Sequence, residues 1–292
     1  MRTVHVDTAL DLPHLGEDDR LRAVLQSALA RTTDVSAVNS TGPFWPASFF
    51  GLDGVQCFRD ASKDQQARVV AAASRATLEE AWFIEKAGMV YTAQMSLLAT
   101  STEERQLYSL FAADEAAHLH LVGAFLPPDE PSRPGPFHAL LADVIETADR
   151  ATLIFVIQVV LEGWGLVHYR QLAEGTHSAP LRAAFERILK DEARHHGSGL
   201  LLFDQAASGA DVEQATALLE RFLAMVLLGP LMVVGCLSAV LGPLDNAAKT
   251  EVLHQLNADE QVRDRLALLR GLMDRPTASA IVAALDARGA WS

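Results

Sequence analysis

Apolar residues recur at helical spacing along most of this chain, and no stretch shows the two-residue alternation of a half-buried strand. Leu21, Val24, Leu25 and Leu29 mark a helix over residues 17–31. Residues 40–57 break the pattern. They are rich in glycine, proline and aromatics (Phe44, Trp45, Phe49, Phe50), which reads as an ordered loop packed over an apolar surface and covering a cavity. Four long helices follow. The first spans about residues 62–98. The second starts at 102, with Ser101 and Glu104 as a capping box, and ends before Pro127-Pro128. After a proline-rich connection over 127–136 and a short helix over 137–148, the third covers 151–174 and stops at Gly175, a natural residue just past a helix end. The fourth runs from Pro180 to about Leu202. A fifth, strongly apolar helix (212–241) ends at Gly242-Pro243, and amphipathic helices over 246–256, 258–273 and 277–287 complete the chain.

The fold class is therefore all-α. The 292 residues divide into an N-terminal arm, helix and aromatic loop (1–61), a helical core (62–205) and C-terminal helices packed on it (206–292), together one globular domain. The stretch from Phe222 to Gly242 carries no charge and is long enough to cross a bilayer. Gly229-Pro230 interrupts it and no basic cluster flanks it, so no membrane span is favoured. It reads as a kinked helix buried against the bundle or in the interface of a homodimer. A net charge of −13 argues against a nucleic-acid partner. Cys57 and Cys236 form no CxxC pair, which excludes a built-in rubredoxin and suits a reducing cytoplasm. The N-terminus lacks the apolar segment of a signal peptide.

One short pattern occurs twice: Asp114-Glu115-Ala116-Ala117-His118 and Asp191-Glu192-Ala193-Arg194-His195. Residues three apart share a helix face, so each copy offers a carboxylate beside an imidazole. Each follows another glutamate by 30 residues, Glu85 and Glu162. The midpoints fall in the predicted turns near residues 100 and 177, so each pair forms an antiparallel hairpin with its glutamates level, about 20 Å from the turn. Gly88 and Gly165 stand three residues after the leading glutamates, which strengthens the impression of a duplicated hairpin. Glu80, also on the first helix, remains an alternative to Glu85.

Four carboxylates and two histidines suit two hard or borderline divalent ions such as iron or manganese. Glu115 and Glu192 would bridge; Glu85 with His118 and Glu162 with His195 would complete each ion. Without cations, such carboxylates in a bundle core repel one another and lack solvent. Asp114 and Asp191 are placed to accept a hydrogen bond from a ligand histidine's other ring nitrogen. Phe111, Val122, Phe155, Ile188 and Gly199 lie one turn from the ligands, with the amide of Gln158 nearby. They suggest a pocket for an apolar moiety or, equally, core packing.

The set Glu85, Glu115-x-x-His118, Glu162, Glu192-x-x-His195 resembles the ferritin-like di-iron carboxylate superfamily over about residues 62–205. That resemblance implies a ferritin-like four-helix bundle with additional N- and C-terminal helices and a di-iron centre, a mixed manganese–iron pair being open. It implies activation of O2 by reduced iron, with electrons from an external reductase or ferredoxin, to oxidise a small-molecule substrate. Hydroxylation, N-oxygenation, desaturation and deformylation all remain open. The other reading is an iron-handling or peroxide-scavenging protein of ferritin or rubrerythrin type. The chain's length, the missing CxxC module and the extra C-terminal helices favour an oxygenase over it.

Overall fold

The structure, a computed structural model, describes residues 10, 19–29, 42–127 and 135–292. Most of the N-terminal arm, both predicted ends of the first helix and the centre of the proline-rich connection lie outside the described residues. Among the described residues every regular element is helical. In chain order these are α1 (Arg20–Leu29), two 3-10 turns (Ala47–Phe50 and Leu52–Gly54), α2 (Gln56–Arg59), α3 (Lys63–Leu98), α4 (Thr102–Gly123) and α5 (Pro136–Thr147). Then come α6 (Arg150–Gly175), α7 (Ala179–Ala206), a 3-10 turn (Ala207–Gly209), α8 (Val212–Leu227), α9 (Leu231–Leu241), α10 (Asn246–Gln255), α11 (Ala258–Met273), a 3-10 turn (Pro276–Ala278) and α12 (Ser279–Ala287). The chain forms two compact units. Unit 1 holds Met1–Ser40 and Glu79–Ala148; unit 2 holds Thr41–Leu78 and Asp149–Ser292, and the division falls within α3.

Unit 1 is built on the hairpin of α3 and α4. Its turn is closed locally. Ser101 Oγ accepts from the Glu104 amide at 3.0 Å, and the Glu104 carboxylate accepts from the Thr100 amide at 2.7 Å and its hydroxyl at 2.8 Å. The capping box thus forms with a shift: the glutamate reaches Thr100 rather than the Ser101 amide. Tyr91, Tyr108 and Phe111 pack edge to face in the unit's interior, with successive ring centroids 6.3 Å and 6.1 Å apart.

Unit 2 is built on the hairpin of α6 and α7, and the aromatic loop sits at its turn. Trp45 is fully buried, stacks on Phe49 and donates its indole N–H to the Leu172 carbonyl at 2.9 Å. The Phe44 carbonyl accepts from the Thr176 hydroxyl at 2.7 Å and from the His177 amide. The loop is a plug for this hairpin's turn. Gly175 does not adopt the left-handed conformation that its place just past the predicted helix end suggested. It is the last helical residue, and the edge of Phe49 fills the place where its Cβ would stand. Arg182 bridges the Ala173 and Thr176 carbonyls and holds the turn from the other side.

Within α6, residues Ile154–Leu161 form a π-helix, and all eight are buried. The Glu162 amide continues that pattern by donating to the Ile157 carbonyl. Asp149 starts α6: its carboxylate accepts from the Ala151 and Thr152 amides, the Thr152 hydroxyl and the Asp211 amide just before α8. Burial opposes ionisation there, but these four donors outweigh it and hold the carboxyl below the usual range. The uncharged stretch predicted as one kinked helix is two, α8 and α9, bent by 48° across Gly229-Pro230, with Gly229 in the left-handed region. Arg150–Gly175 is also long and apolar enough to cross a membrane, though 67% of its most apolar window is buried within the protein. Surface ion pairs tie the C-terminal end down, Arg288 to Glu213 and Glu220 on α8, and Arg270 to Asp286.

Candidate metal centre

In unit 1, α3 supplies Glu85, and α4 supplies Glu115 and His118 from one face, three residues apart. All three are buried, His118 completely. One donor atom from each lies within 4.8 Å of the others. His118 Nδ1 is 3.2 Å from Glu85 Oε2 and 3.9 Å from Glu115 Oε2. Glu80 is only half-buried, and it is Glu85 that joins this triad.

Unit 2 repeats the donor set. Glu162 follows the π segment on α6, and Glu192 and His195 share a face of α7. Their donor atoms also lie within 4.8 Å of one another, and His195 Nδ1 is 3.7 Å from Glu192 Oε1. His195 is fully buried and Glu192 nearly so, while Glu162 is half-buried.

Donors around one ion, each bonded at about 2 Å, stand roughly 3–4 Å apart, so both triads have the spread of a metal half-site. The chemistry fits as well. Two carboxylates and one imidazole nitrogen suit iron or manganese, and a divalent cation offsets both negative charges where water cannot. The donor set fits a metal centre, and in each triad it is Nδ1 of the histidine that faces the carboxylates.

Around the unit 2 triad the structure adds a knot absent from the sequence reading. Gln158, buried in the π segment, donates its amide to the His195 carbonyl at 3.0 Å. In return His196 Nδ1 lies 2.9 Å from the Gln158 carbonyl, and since that oxygen can only accept, this ring nitrogen carries the proton. Gly199 lies directly against the Gln158 side chain. The α6 and α7 backbones are thereby locked together at the height of His195. The π register of α6 presents the Gln158 carbonyl to α7.

The remaining predicted residues fall as follows. Asp191 accepts from Arg194 one turn on, at 2.6 Å, and Asp114 is half-buried. Phe155, Gln158, Ile188 and Gly199 are buried within unit 2, with Phe155 stacked on Phe203 at 4.5 Å. Phe111 and Val122 are buried within unit 1. His168 stacks on Trp164, with ring centroids 5.3 Å apart. Burial of its ring, helped by the positive charge of Arg265, pushes its pKa down to about 4.

Helical hairpins carrying buried Glu-x-x-His sites define a carboxylate-rich α-helical bundle protein. Residues 65–200 match the ferritin-like domain. No curated protein matches the chain significantly.

Proposed function

We propose that this protein is an O2-dependent, non-haem di-iron oxygenase or oxidase acting on a small, partly apolar metabolite. The observation that carries this reading is the pair of buried two-carboxylate, one-imidazole triads in a ferritin-like segment. Glu85, Glu115 and His118 would hold one ion, and Glu162, Glu192 and His195 the other. The four carboxylates balance two divalent charges, with manganese–iron as the variant composition. When bound, such a metal pair supplies the redox chemistry that activates O2.

The chain's own residues bind and orient. Burial keeps water from the donors other than the half-buried Glu162, and the Gln158–His196 knot fixes the rotation of α7 at His195. Phe111, Val122, Phe155 and Ile188 favour a substrate with an apolar portion. The only cysteines are Cys57 and a buried Cys236, far apart in sequence, so reducing equivalents would come from a separate donor protein. Two free thiols accord with a reducing cytoplasm.

The test is anaerobic loading with Fe(II) followed by a pulse of O2 at limiting and excess iron. A single oxidation event of about two irons per chain that stalls until a reductant is added supports an oxygenase. Continued oxidation of excess iron with mineral deposition would replace this reading with iron storage.

A further inference from the structure

The repeat places a glycine three residues after each leading glutamate, Gly88 after Glu85 and Gly165 after Glu162. In space the two glycines differ. A Cβ on Gly88 would stand 2.5 Å from Oε2, 2.8 Å from Cδ and 3.2 Å from Oε1 of Glu115. A Cβ on Gly165 would meet nothing within 4 Å. Backbone conformation does not demand glycine at either position, since neither has a positive φ. The α3 helix runs unbroken through Gly88, and the Thr92 hydroxyl donates to the Gly88 carbonyl at 2.8 Å. A glycine inside a regular helix costs stability. What Gly88 provides in return is room.

We propose that Gly88 is a positioning residue for the unit 1 half-site: its missing side chain forms the socket that seats the Glu115 carboxylate against α3, beside Glu85 and His118. This inference rests on the metal-centre reading above. Without an ion, the Glu115 side chain can rotate away from a methyl group at position 88 at little cost. With an ion bound, the carboxylate is held in place and the methyl has nowhere to displace it. Gly88→Ala therefore acts on the metal-bound state and spares the fold, whereas Gly165→Ala makes the same helix-stabilising change where the space is open.

The experiment is a Co(II) titration of metal-free wild type, Gly88→Ala and Gly165→Ala, read by visible ligand-field absorption, with urea unfolding of each metal-free protein. Wild type is expected to take about two Co(II) per chain. Gly88→Ala should be at least as stable as wild type without metal. It should bind Co(II) about tenfold to a hundredfold more weakly, with an altered absorption band. Gly165→Ala should keep wild-type affinity and band. Wild-type affinity and band in Gly88→Ala would overturn the socket, as would an equal loss in Gly165→Ala. A wild type that binds no Co(II) would remove the metal reading itself, and the inference with it. Should Gly88→Ala fail to fold, adding Glu115→Asp, which withdraws the carboxylate by one methylene, is expected to restore folding; failure to do so would also overturn it.

Discussion

The two hairpins carry the same donor set on different supports. In unit 1 the triad sits on regular α-helix, all three donors are buried, and a glycine beneath Glu115 lets the carboxylate lie against the facing helix. In unit 2 the leading glutamate follows a π-helix and is half-buried, and the α7 backbone is held by side chains reaching across from and to Gln158. The turns differ in the same sense. Unit 1 closes its own with Ser101, Glu104 and Thr100, while unit 2 relies on Arg182 and on an aromatic plug from the preceding loop. The same donor set is thus held by two different kinds of packing.

The sharpest way to break this comparison is to delete the glutamate of the Glu-x-x-His motif from each side. If the triads form a single centre, Glu115→Ala and Glu192→Ala will each reduce bound iron from about two per chain to near none, measured by metal analysis of purified protein. Removing one anchor leaves the second ion without a shared ligand and with uncompensated charge. If either variant retains one tightly held ion, the half-sites are independent and the bridged arrangement is wrong.

The next test addresses the knot in unit 2. Gln158→Ala removes the side chain's buried hydrogen bond to the His195 carbonyl and its longer one to the Ser198 hydroxyl, keeps the His196 bond to the Gln158 backbone carbonyl, and opens a void against Gly199. A loss of about 2–4 kcal/mol in urea unfolding is expected. The altered rotation of α7 should also perturb the His195 half-site in Co(II) spectra while leaving unit 1 unchanged. A Gln158→Ala protein of wild-type stability would show that the Gln158 side chain constrains nothing.

How far the sequence could reach follows from which contacts are local. The helix limits around Glu85, Glu115, Glu162 and Glu192 were legible because long amphipathic runs are punctuated by Ser101, Pro127, Gly175 and Pro180. The donor triads were legible because an i,i+3 pair lies on one face whatever the helix packs against. The π segment was not, since Leu153–Val160 is apolar on every side except at Gln158, and an all-round apolar run carries no phase information. Every reading that depended on that phase was lost with it, above all the pairing of Gln158 with His196. Gly175 misled for a related reason. Glycine signals both a left-handed turn and a close approach, and only the tertiary contact with Phe49 tells which.

A pH titration probes a group that only unit 2 possesses. His168 has a folded pKa of about 4, below the ordinary 6.5 of the unfolded chain. Between these values the unfolded state binds more protons, so stability rises with pH. The contribution of neutral His168 is complete above about pH 6.5 and falls progressively toward pH 4, by up to about 3 kcal/mol. His168→Phe, which keeps a ring against Trp164, should flatten this part of the stability profile in urea titrations from pH 7.5 to 4.5. An unchanged slope would show that the ring is solvated in the folded protein.

The smallest expected effect returns to the two turns. Ser101 caps α4 with a 3.0 Å bond to the Glu104 amide, and Glu104 in turn holds Thr100. Ser178 caps α7 with a 3.5 Å bond to the Leu181 amide, beside the Arg182 clamp and the Phe44–Thr176 bond. Loss of a helix-starting hydroxyl costs about 1 kcal/mol when the bond is well formed. Ser101→Ala should therefore lower unfolding stability by about 1 kcal/mol, and Ser178→Ala by less than about half of that, because a 3.5 Å bond is at the limit of useful geometry. Equal losses at the two serines would mean that the turn of unit 2 depends on its own cap after all and that the aromatic plug merely covers it.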